Sequence, residues 1–418
     1  MSTLELNQAK NTASSLVKLA DSGQIDAFSR LRISAPSYAF DAQLTYDLQP
    51  LLYEQITANG GTITYDGTNG CAVLGLVAPT SGAVAEMRSF EYFRYQPGRS
   101  QLICMTGLFG SSTVASGTVK GQGYSDGVNG IEFQLTSTGP QFVILSSTSL
   151  GNQVATRANW NIDKLDGTGS GQILDLTKTH ILVIDIQALY AGRVRVGFDI
   201  DGLVHYCHEF KNANISAWPY IRDANLPVRT YITTTGTTAD SMLNLCASVT
   251  SEAGAIDLMG YEFSVEGTGT AGSGVATHIL SLQPALTYDG RINRMKLDVD
   301  DIEILNLGTV PVLVQICLGC TLTGANTFTN VNSNYSGMAY NTGATLSGTP
   351  AIVTNQTYVT STGANKASTT SSQNLPYREP ITLDHLGNPR ILGTLSVLAT
   401  GIGGTASVRA VANWHEIR

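Results

Sequence analysis

Charged side chains are scarce in this chain of 418 residues. Asp, Glu, Lys and Arg make up 13% of the sequence, against roughly 25% in an average soluble domain. Residues 304–365 are rich in Thr, Asn, Gly and Ser and contain no Asp, Glu, Lys, Arg or His. Because soluble monomers normally scatter charges of both signs over their surface, such a long uncharged strip indicates a surface that is covered in an assembly. The pattern favours a building block over an enzyme.

Other absences disfavour further classes of function. The formal net charge of −8 and the lack of basic clusters argue against nucleic-acid binding, which needs Lys and Arg to displace counterions. No apolar run of roughly 18 residues predicts a membrane span, and no basic start followed by an apolar run predicts an export signal. No G-x-S-x-G, Walker or H-E-x-x-H motif is present. We therefore expect a protein that is not an enzyme and binds no cofactor, nucleic acid or membrane.

Short apparent strands separated by turn residues predict an all-β chain with two domains. Residues 36–266 predict an antiparallel β-sandwich that is jelly-roll-like or concanavalin-like. Residues 275–418 predict a second, smaller β-sandwich domain, joined to the first by a flexible glycine-rich linker at 267–274. Residues 1–35 predict an N-terminal arm that a neighbouring subunit holds in place.

Three local patterns carry most of this fold prediction. Residues 193–196 alternate Arg and Val, and Asp201 with Gly202 then predicts a tight turn into a returning strand at 203–210. The apolar run at 181–186 predicts a central strand covered on both faces. The glycines of 267–274 match the letters G-x-G-x-x-G, but the following residues predict a strand, whereas a dinucleotide site requires a helix there.

The six cysteines are scattered, and a chain of this length does not need disulfides to fold, so buried, reduced thiols are expected. Cys317 and Cys320 form a C-x-x-C pair, which is too few ligands for a tetrahedral metal site. In a regular strand these two positions point to opposite faces. They could act together only if Gly319 breaks the strand.

Two groups of oxygen-bearing side chains are weak candidates for other chemistry. Asn161, Asp163 and Asp166 have part of the spacing of a calcium loop, but the terminal Glu is missing and Asx turns use the same residues. The residues Asp298, Asp300 and Glu303 resemble the strand-borne carboxylates of some retaining glycosidases. Solvated edge charges that discourage sheet pairing explain this acidic triplet better.

Five motifs follow one another through the first predicted domain: residues 26–34 (DAFSRLRIS), 93–100 (FRYQPGRS), 159–167 (NWNIDKLDG), 192–202 (GRVRVGFDIDG) and 225–229 (NLPVR). In this order they resemble the motifs of a family of structural proteins encoded by tailed bacteriophages. The resemblance covers roughly residues 26–255 and does not extend to the second predicted domain.

The resemblance implies a virion component with no catalytic residues to transfer, assembled in the host bacterial cytoplasm. Capsid decoration, neck, tail and baseplate positions remain open, with other virion proteins and copies of the chain itself, as a trimer or hexamer, as partners. In such an assembly Asp26, Arg30 and Arg32 would pin the arm at an interface through charge-assisted hydrogen bonds. Alternatively, Arg30 and Arg32 cap the edge of the sandwich.

Two other classes of function remain as alternatives. The first is a glycan-binding module that adsorbs the particle to a host surface glycan, for which Trp218 and Tyr220 are the candidate contact residues. The second, more remote, is a glycan-degrading enzyme that would use Asp298 or Asp300. The first requires exposed aromatic rings, and the second requires acidic residues that converge in a cleft.

Overall fold

The computed structural model contains strands, no α-helix and one short 3-10 helix, Arg157–Asn159, among the residues it describes. These residues are 26–27, 36–94, 96–187, 189–252, 260–360, 370–374 and 381–417. The chain forms two compact units: unit 1 comprises Met1–Ser89 and Phe93–Ile256, and unit 2 comprises Phe90–Tyr92 and Asp257–Arg418. The predicted all-β fold is confirmed. The predicted arm lies outside the described residues except for Asp26 and Ala27.

Unit 1 is an antiparallel, jelly-roll-like β-sandwich. Its strands are β1 (Ser37–Gln43), β2 (Tyr53–Ala58), β3 (Gly61–Asp66), β4 (Cys71–Leu76), β5 (Ala83–Ser89), β6 (Ser100–Leu108), β7 (Thr118–Ser125), β8 (Gly130–Thr136), β9 (Gly139–Leu145), β10 (Gln153–Thr156), β11 (His180–Gln187), β12 (Val194–Ile200), β13 (Leu203–Phe210), β14 (Val228–Thr234) and β15 (Asp240–Ser251). An eight-stranded sheet has the order β13-β12-β11-β6-β15-β4-β3, with β1 beside β15. A seven-stranded sheet has the order β10-β9-β8-β7-β14-β5-β2. Alternate side chains of both sheets meet in one apolar core.

The hairpin of β12 and β13 follows the prediction. Val194 and Val196 are fully buried in the core, and the turn residues Asp201 and Gly202 have φ of 55° and 78°. Strand β11 is covered on both faces from Leu182 to Ile186, because Val183 and Asp185 on its outer side are as buried as the core residues. Ile181 at the start of the predicted run is 38% exposed.

A buried ion pair lies on the outer face of the eight-stranded sheet. Arg195 Nη2 donates to Asp185 Oδ2 at 2.5 Å, and neither side chain is exposed. The same carboxylate accepts hydrogen bonds from Tyr206 Oη at 2.7 Å and Ser100 Oγ at 3.1 Å, and the Arg195 guanidinium stacks on the Tyr206 ring. Several donors thus converge on Asp185, which is what a charge removed from water requires.

The described residues of the arm dock beside this ion pair. The Ala27 amide donates to Ser100 Oγ at 3.3 Å, and Arg193 Nε donates to the Ala27 carbonyl at 2.7 Å. Asp26 is 3% exposed, and its carbonyl accepts from Arg193. Asp26 is therefore anchored within its own chain, whereas Arg30 and Arg32 lie outside the described residues.

Unit 2 is also built from strands. They are β16 (Tyr261–Ser273), β17 (Thr277–Pro284), β18 (Thr287–Tyr288), β19 (Arg291–Ile292), β20 (Lys296–Asn306), β21 (Val312–Leu318), β22 (Leu322–Gly324), β23 (Thr329–Asn330), β24 (Met338–Asn341), β25 (Ala344–Leu346), β26 (Ile352–Val359), β27 (Thr370–Asn374), β28 (Leu395–Gly401) and β29 (Ala406–Ile417). A ten-stranded sheet runs β23-β24-β17-β28-β16-β29-β20-β27, and β21 joins β28 to β26. Strands β24, β17, β28, β16, β29 and β20 of this sheet, together with β21 and β26, contribute to one core.

The prediction of a glycine-rich linker at 267–274 is wrong. Residues 267–273 belong to β16, which pairs with β29 from Tyr261 onward. The glycines provide space here, because a Cβ on Gly267 would lie 2.6 Å from the Ile279 carbonyl oxygen and one on Gly269 would lie 2.7 Å from Ile279 Cδ1. The division between the units falls earlier, at Ile256 and Asp257.

We expect Asp185→Asn to lower the free energy of unfolding by about 3–5 kcal/mol, because the buried Arg195 would lose the carboxylate charge with which it pairs. Equilibrium denaturation by urea, followed by tryptophan fluorescence, measures this. Asp175→Asn is the matched control, since Asp175 forms an exposed ion pair with Lys178 and such pairs contribute little. Equal stability of the two variants would contradict the proposed importance of the buried pair.

Candidate functional site

A cluster of charged and polar side chains lies on the outer face of the seven-stranded sheet. It comprises Glu86 on β5, Glu132 on β8, and Arg229 and Tyr231 on β14, with Arg88 beside Glu86. These residues alternate along their strands with core residues, so they point away from the core. We call this group the outer-face cluster.

Two glycines on β7 allow this cluster to form. Gly123 is paired with both Arg229 and Glu132, and Gly121 with both Tyr231 and Gln134, so β7 lies between β14 and β8. A Cβ on Gly121 would lie 2.3 Å from the Tyr231 ring, and one on Gly123 would lie 2.7 Å from Glu132 Cα. Because Gly121 and Gly123 leave the outer face of β7 free of side chains at these positions, residues of β14 and β8 reach each other across it.

Arg229 is the central residue of the outer-face cluster. Its Nη2 donates to Glu86 Oε2 at 2.7 Å and its Nη1 to Glu132 Oε1 at 2.9 Å. Arg88 Nε donates to Glu86 Oε1 at 2.7 Å, and Tyr231 Oη donates to Glu132 Oε2 at 2.9 Å. Two carboxylates are thus balanced by two guanidinium groups, and the Arg229 guanidinium also stacks on the Tyr231 ring.

The electrostatics of the cluster disfavour acid–base catalysis by Glu86. Burial tends to raise the pKa of Glu86, but the charges and hydrogen bonds of Arg229 and Arg88 outweigh it and hold the pKa below its usual value. A general acid needs a raised pKa so that it carries a proton near neutral pH. Burial tends to lower the pKa of Arg229, but the charges of Glu132 and Glu86 outweigh it and raise this pKa above its usual value. The cluster therefore suits fixed ion pairing within the sheet.

The three calcium candidates are used in separate backbone contacts. Asp163 Oδ1 accepts from the Leu165 amide and its Oδ2 from the Ser170 amide, while Asp166 binds Thr168. Asn161 exchanges two hydrogen bonds with the backbone of Glu209. The loop also closes tightly over Asp163, since a Cβ on Gly169 would lie 2.5 Å from its Oδ1. Over the described part of the chain, no three His, Cys, Asp or Glu side chains are grouped as metal ligands.

The acidic triplet of β20 does not form a common site. Asp298 is buried, Glu303 is exposed, and a register shift between Val299 and Asp301 displaces Asp300. Asp300 binds His415 Nδ1, whose other ring nitrogen lies 3.1 Å from Glu262 Oε1. These contacts are those of a hydrogen-bonded sheet surface.

The two aromatic candidates for glycan binding differ in exposure. Trp218 is 56% exposed, whereas Tyr220 is fully buried. Assigning Tyr220 to a glycan contact was therefore wrong, because its ring belongs to the core of unit 1. Trp218 remains available to a ligand.

The outer-face cluster was not predicted from the sequence. The sequence feature that could have indicated it is the segment of β7, where glycines alternate with Lys120, Gln122 and Tyr124. The glycines mark a face of the strand that neighbouring side chains can cross. Alternation normally places polar residues outward, but here Lys120 and Gln122 face inward and are fully buried. Lys120 Nζ is bonded to Asp240 and the Phe109 carbonyl, and Gln122 to His180.

Comparison with protein-family models and with curated proteins found no match. Similar solved structures each cover about half of this chain. An endo-1,3-β-glucanase from Streptomyces sioyaensis is 12% identical, with 52% of this chain and 97% of that chain covered and a TM-score of 0.38. A carbohydrate esterase from the Shiga toxin-encoding bacteriophage phi24B is 12% identical, with 52% of this chain and 99% of that chain covered and a TM-score of 0.31. Lectin I-B4 from Griffonia simplicifolia is 10% identical, with 51% of this chain and 99% of that chain covered and a TM-score of 0.31. At these values the similarity carries no conclusion about function.

We expect Arg229→Met to destabilise the protein at pH 7 by about 3–5 kcal/mol, because two buried carboxylates lose their shared counter-charge. The low pKa of Glu86 stabilises the folded state above the unfolded-state value of 4.5, and this contribution disappears as the pH falls through the folded-state pKa. The difference between wild type and variant should therefore shrink below about pH 4.5. Urea denaturation across pH 3 to 7 tests this, with exposed Arg222→Met as the control. A pH-independent difference would refute the linkage to Glu86.

Proposed function

We propose that this chain is a non-catalytic building block of a tailed-bacteriophage particle. It assembles in the host bacterial cytoplasm with copies of itself, as a trimer or hexamer, and with other virion proteins. The observation that carries the assembly proposal is the uncharged edge strand β26. The five motifs of unit 1 supply the link to the phage family.

Strand β26 lies within the charge-free strip 304–365. It pairs with β21 on one side, and no other described strand pairs with its second side. Its residues, IVTNQTYV, include no charge and no proline, and Val353 and Tyr358 are 41% and 69% exposed. Proteins normally protect such edges with Lys, Pro or a covering segment, because unpaired backbone groups attract other strands. An edge strand without Lys or Pro, with no second partner among the described strands, is suited to pairing with another chain.

The described carboxylate groups support a structural role over a catalytic one. Glu86 and Glu132 are both held by Arg229, and Asp185 is held by Arg195. Glu416 in unit 2 is fully buried and accepts hydrogen bonds from Ser336 Oγ, the Gly337 amide and Trp414 Nε1. Each of these groups is engaged in holding strands together.

The phage-like motifs contribute to the buried contacts of unit 1. Ser100 and Arg193, from two different motifs, both bind Ala27 of the first motif. Arg229 from the last motif forms the centre of the outer-face cluster. These motifs therefore maintain the sandwich and anchor the segment from which residues 1–25 extend. We propose that those residues reach a neighbouring copy.

We expect Gln356→Lys to weaken self-association by about tenfold or more, because it places a positive charge on the edge that two chains would share. Gln356 is already exposed, so the fold should be retained. Light scattering coupled to size exclusion, over a range of concentrations, gives the mass. The matched control is Gln172→Lys on an exposed loop of unit 1. An unchanged oligomer in Gln356→Lys would exclude β26 as the interface.

A second candidate function is binding of a host surface glycan, which the exposure of Trp218 favours. Trp160 and Trp414 are 4% and 0% exposed, so Trp218 is the accessible indole of the three in the sequence. Ile215 nearby in the same loop is 69% exposed. A flat aromatic ring with an apolar neighbour can cover the apolar face of a sugar.

If this candidate is correct, host envelope polysaccharide will protect Trp218 from quenching by acrylamide. Trp218→Ala should then weaken binding by about tenfold, which corresponds to loss of one strong aromatic contact. Tyr46→Ala is the control, because Tyr46 is 85% exposed on another loop. Unchanged quenching at saturating polysaccharide would eliminate Trp218 as the contact residue.

A further inference from the structure

A buried polar cluster lies in unit 2 on the face of the sheet opposite to its core. Strands β17, β28 and β21 are neighbours, and Ser281, Ser396 and Cys317 occupy paired positions across them. All three are fully buried. They alternate with apolar residues of the core, so their side chains share the other face.

Two backbone irregularities add His278 and Cys320 to this row. A register shift between His278 and Leu280 makes Ile279 the extra residue of a bulge, which places His278 on the same face as Ser281. Strand β21 ends at Leu318, and Gly319, with φ of 71°, turns the chain. Cys320 then returns to the side of Cys317, and both join one small cluster. The break at Gly319 that the sequence left open is therefore present.

The five side chains lie in one row on this face. Cys317 and Cys320 pack together in one cluster, and Cys317 is paired with Ser396 on the neighbouring strand. The hydroxyl oxygens of Ser396 and Ser281 are 2.7 Å apart, and Ser281 Oγ lies 2.8 Å from His278 Nε2. The row therefore places a pair of thiols beside two hydroxyl groups, one of which is hydrogen-bonded to an imidazole.

The two thiols differ in acidity. The neighbouring Cys317 thiol lowers the pKa of Cys320 to about 7, aided by Ser396 and opposed by burial. The same interaction, together with burial, raises the pKa of Cys317. Cys320 is therefore the more acidic of the two thiols, which is the division of roles between an attacking and a resolving cysteine.

We propose that Cys317 and Cys320 form a redox-active pair that hydrogen peroxide oxidises to a disulfide. The Cys320 thiolate attacks one peroxide oxygen, the O–O bond breaks, hydroxide leaves, and Cys320 becomes a sulfenic acid. The Cys317 sulfur then attacks the Cys320 sulfur, so that an S–S bond forms and the S–O bond breaks. The leaving oxygen departs as water with the proton of Cys317. Two thiols lose two electrons and two protons, and one peroxide becomes two waters.

Hydrogen peroxide suits this site because it is small and uncharged. Cys320 is 8% exposed and Cys317 is fully buried, and Leu398, Leu322 and Leu346 pack around them. A larger oxidant such as a peptide disulfide would have to displace these leucines.

The test uses the full-length reduced chain, limited hydrogen peroxide, alkylation of the remaining thiols and peptide mass mapping. The peptide that carries both cysteines should lose the mass of two hydrogens, and dithiothreitol should restore it. It should react about tenfold faster than Cys71 and Cys207, because burial raises the pKa of both of those thiols. Retention of both thiols at 317 and 320 while Cys71 or Cys207 is oxidised would overturn the proposal.

Three variants separate the roles of the residues. In Cys317→Ser, a sulfenic acid should accumulate on Cys320 and be trapped by a 1,3-diketone, whereas Cys320→Ser should leave Cys317 unreacted. Ser396→Ala should raise the pH midpoint of the oxidation rate, since Ser396 helps to lower the pKa of Cys320. Besides Cys320 itself, the titratable groups of this row among the described side chains are Cys317 and His278. Exposed Ser333→Ala is the control.

Each outcome decides a part of the proposal. Oxidation of Cys320 to a sulfinic acid in the wild type, without a disulfide, would rule out Cys317 as the resolving thiol. A pH profile of Ser396→Ala that matches the Ser333→Ala control would rule out Ser396 as the positioning residue. If a variant does not fold, the wild-type peptide map still distinguishes a disulfide from two free thiols.

Discussion

A charged side chain that is buried away from water has to be paired with an opposite charge. Such pairs lie on both outer faces of unit 1. On the eight-stranded sheet Asp185 meets Arg195, and on the seven-stranded sheet Arg229 lies between Glu86 and Glu132. Strand alternation turns these residues away from the apolar core. A slip of one residue in register would move them into the core without partners, at a cost far above that of misplacing an apolar residue. The ion pairs therefore make the strand register of the sandwich more specific.

Local pattern was sufficient to predict strands whose two faces differ clearly. Val194 and Val196 alternate with Arg193 and Arg195, and Asp201 with Gly202 tolerates positive φ, so the hairpin followed from the sequence. The same pattern places Arg195 away from the core, which is correct, but it does not show that Arg195 is completely buried. That burial accompanies a network formed with residues far apart in sequence, including Asp185 and Ser100. The local alternation of apolar and polar residues contains no information about burial that distant residues produce.

Glycine residues account for most of the structural features that were not predicted from the sequence. Gly267 and Gly269 indicated a flexible linker, but in the structure they leave room for Ile279 against β16. Gly121 and Gly123 leave room in the same way for Tyr231 and Glu132, and without that space the outer-face cluster could not form. Gly319 uses the other property of glycine, positive φ. Composition alone cannot distinguish a glycine needed for space from one needed for conformation, because the difference lies in a neighbouring strand.

Scarcity of charge and burial of charge together shape the surface of this protein. Arg195, Arg229 and their partners hold strands together in unit 1, so they contribute little charge to the exterior. In unit 2, β26 has no charge of its own, and an uncharged edge strand can pair with strands of any chain. A chain with such an edge remains soluble only if something specific occupies the edge before a random partner does. Under the proposed function, a neighbouring subunit of the particle meets this requirement, and the same uncharged edge provides both the risk of aggregation and the means of assembly.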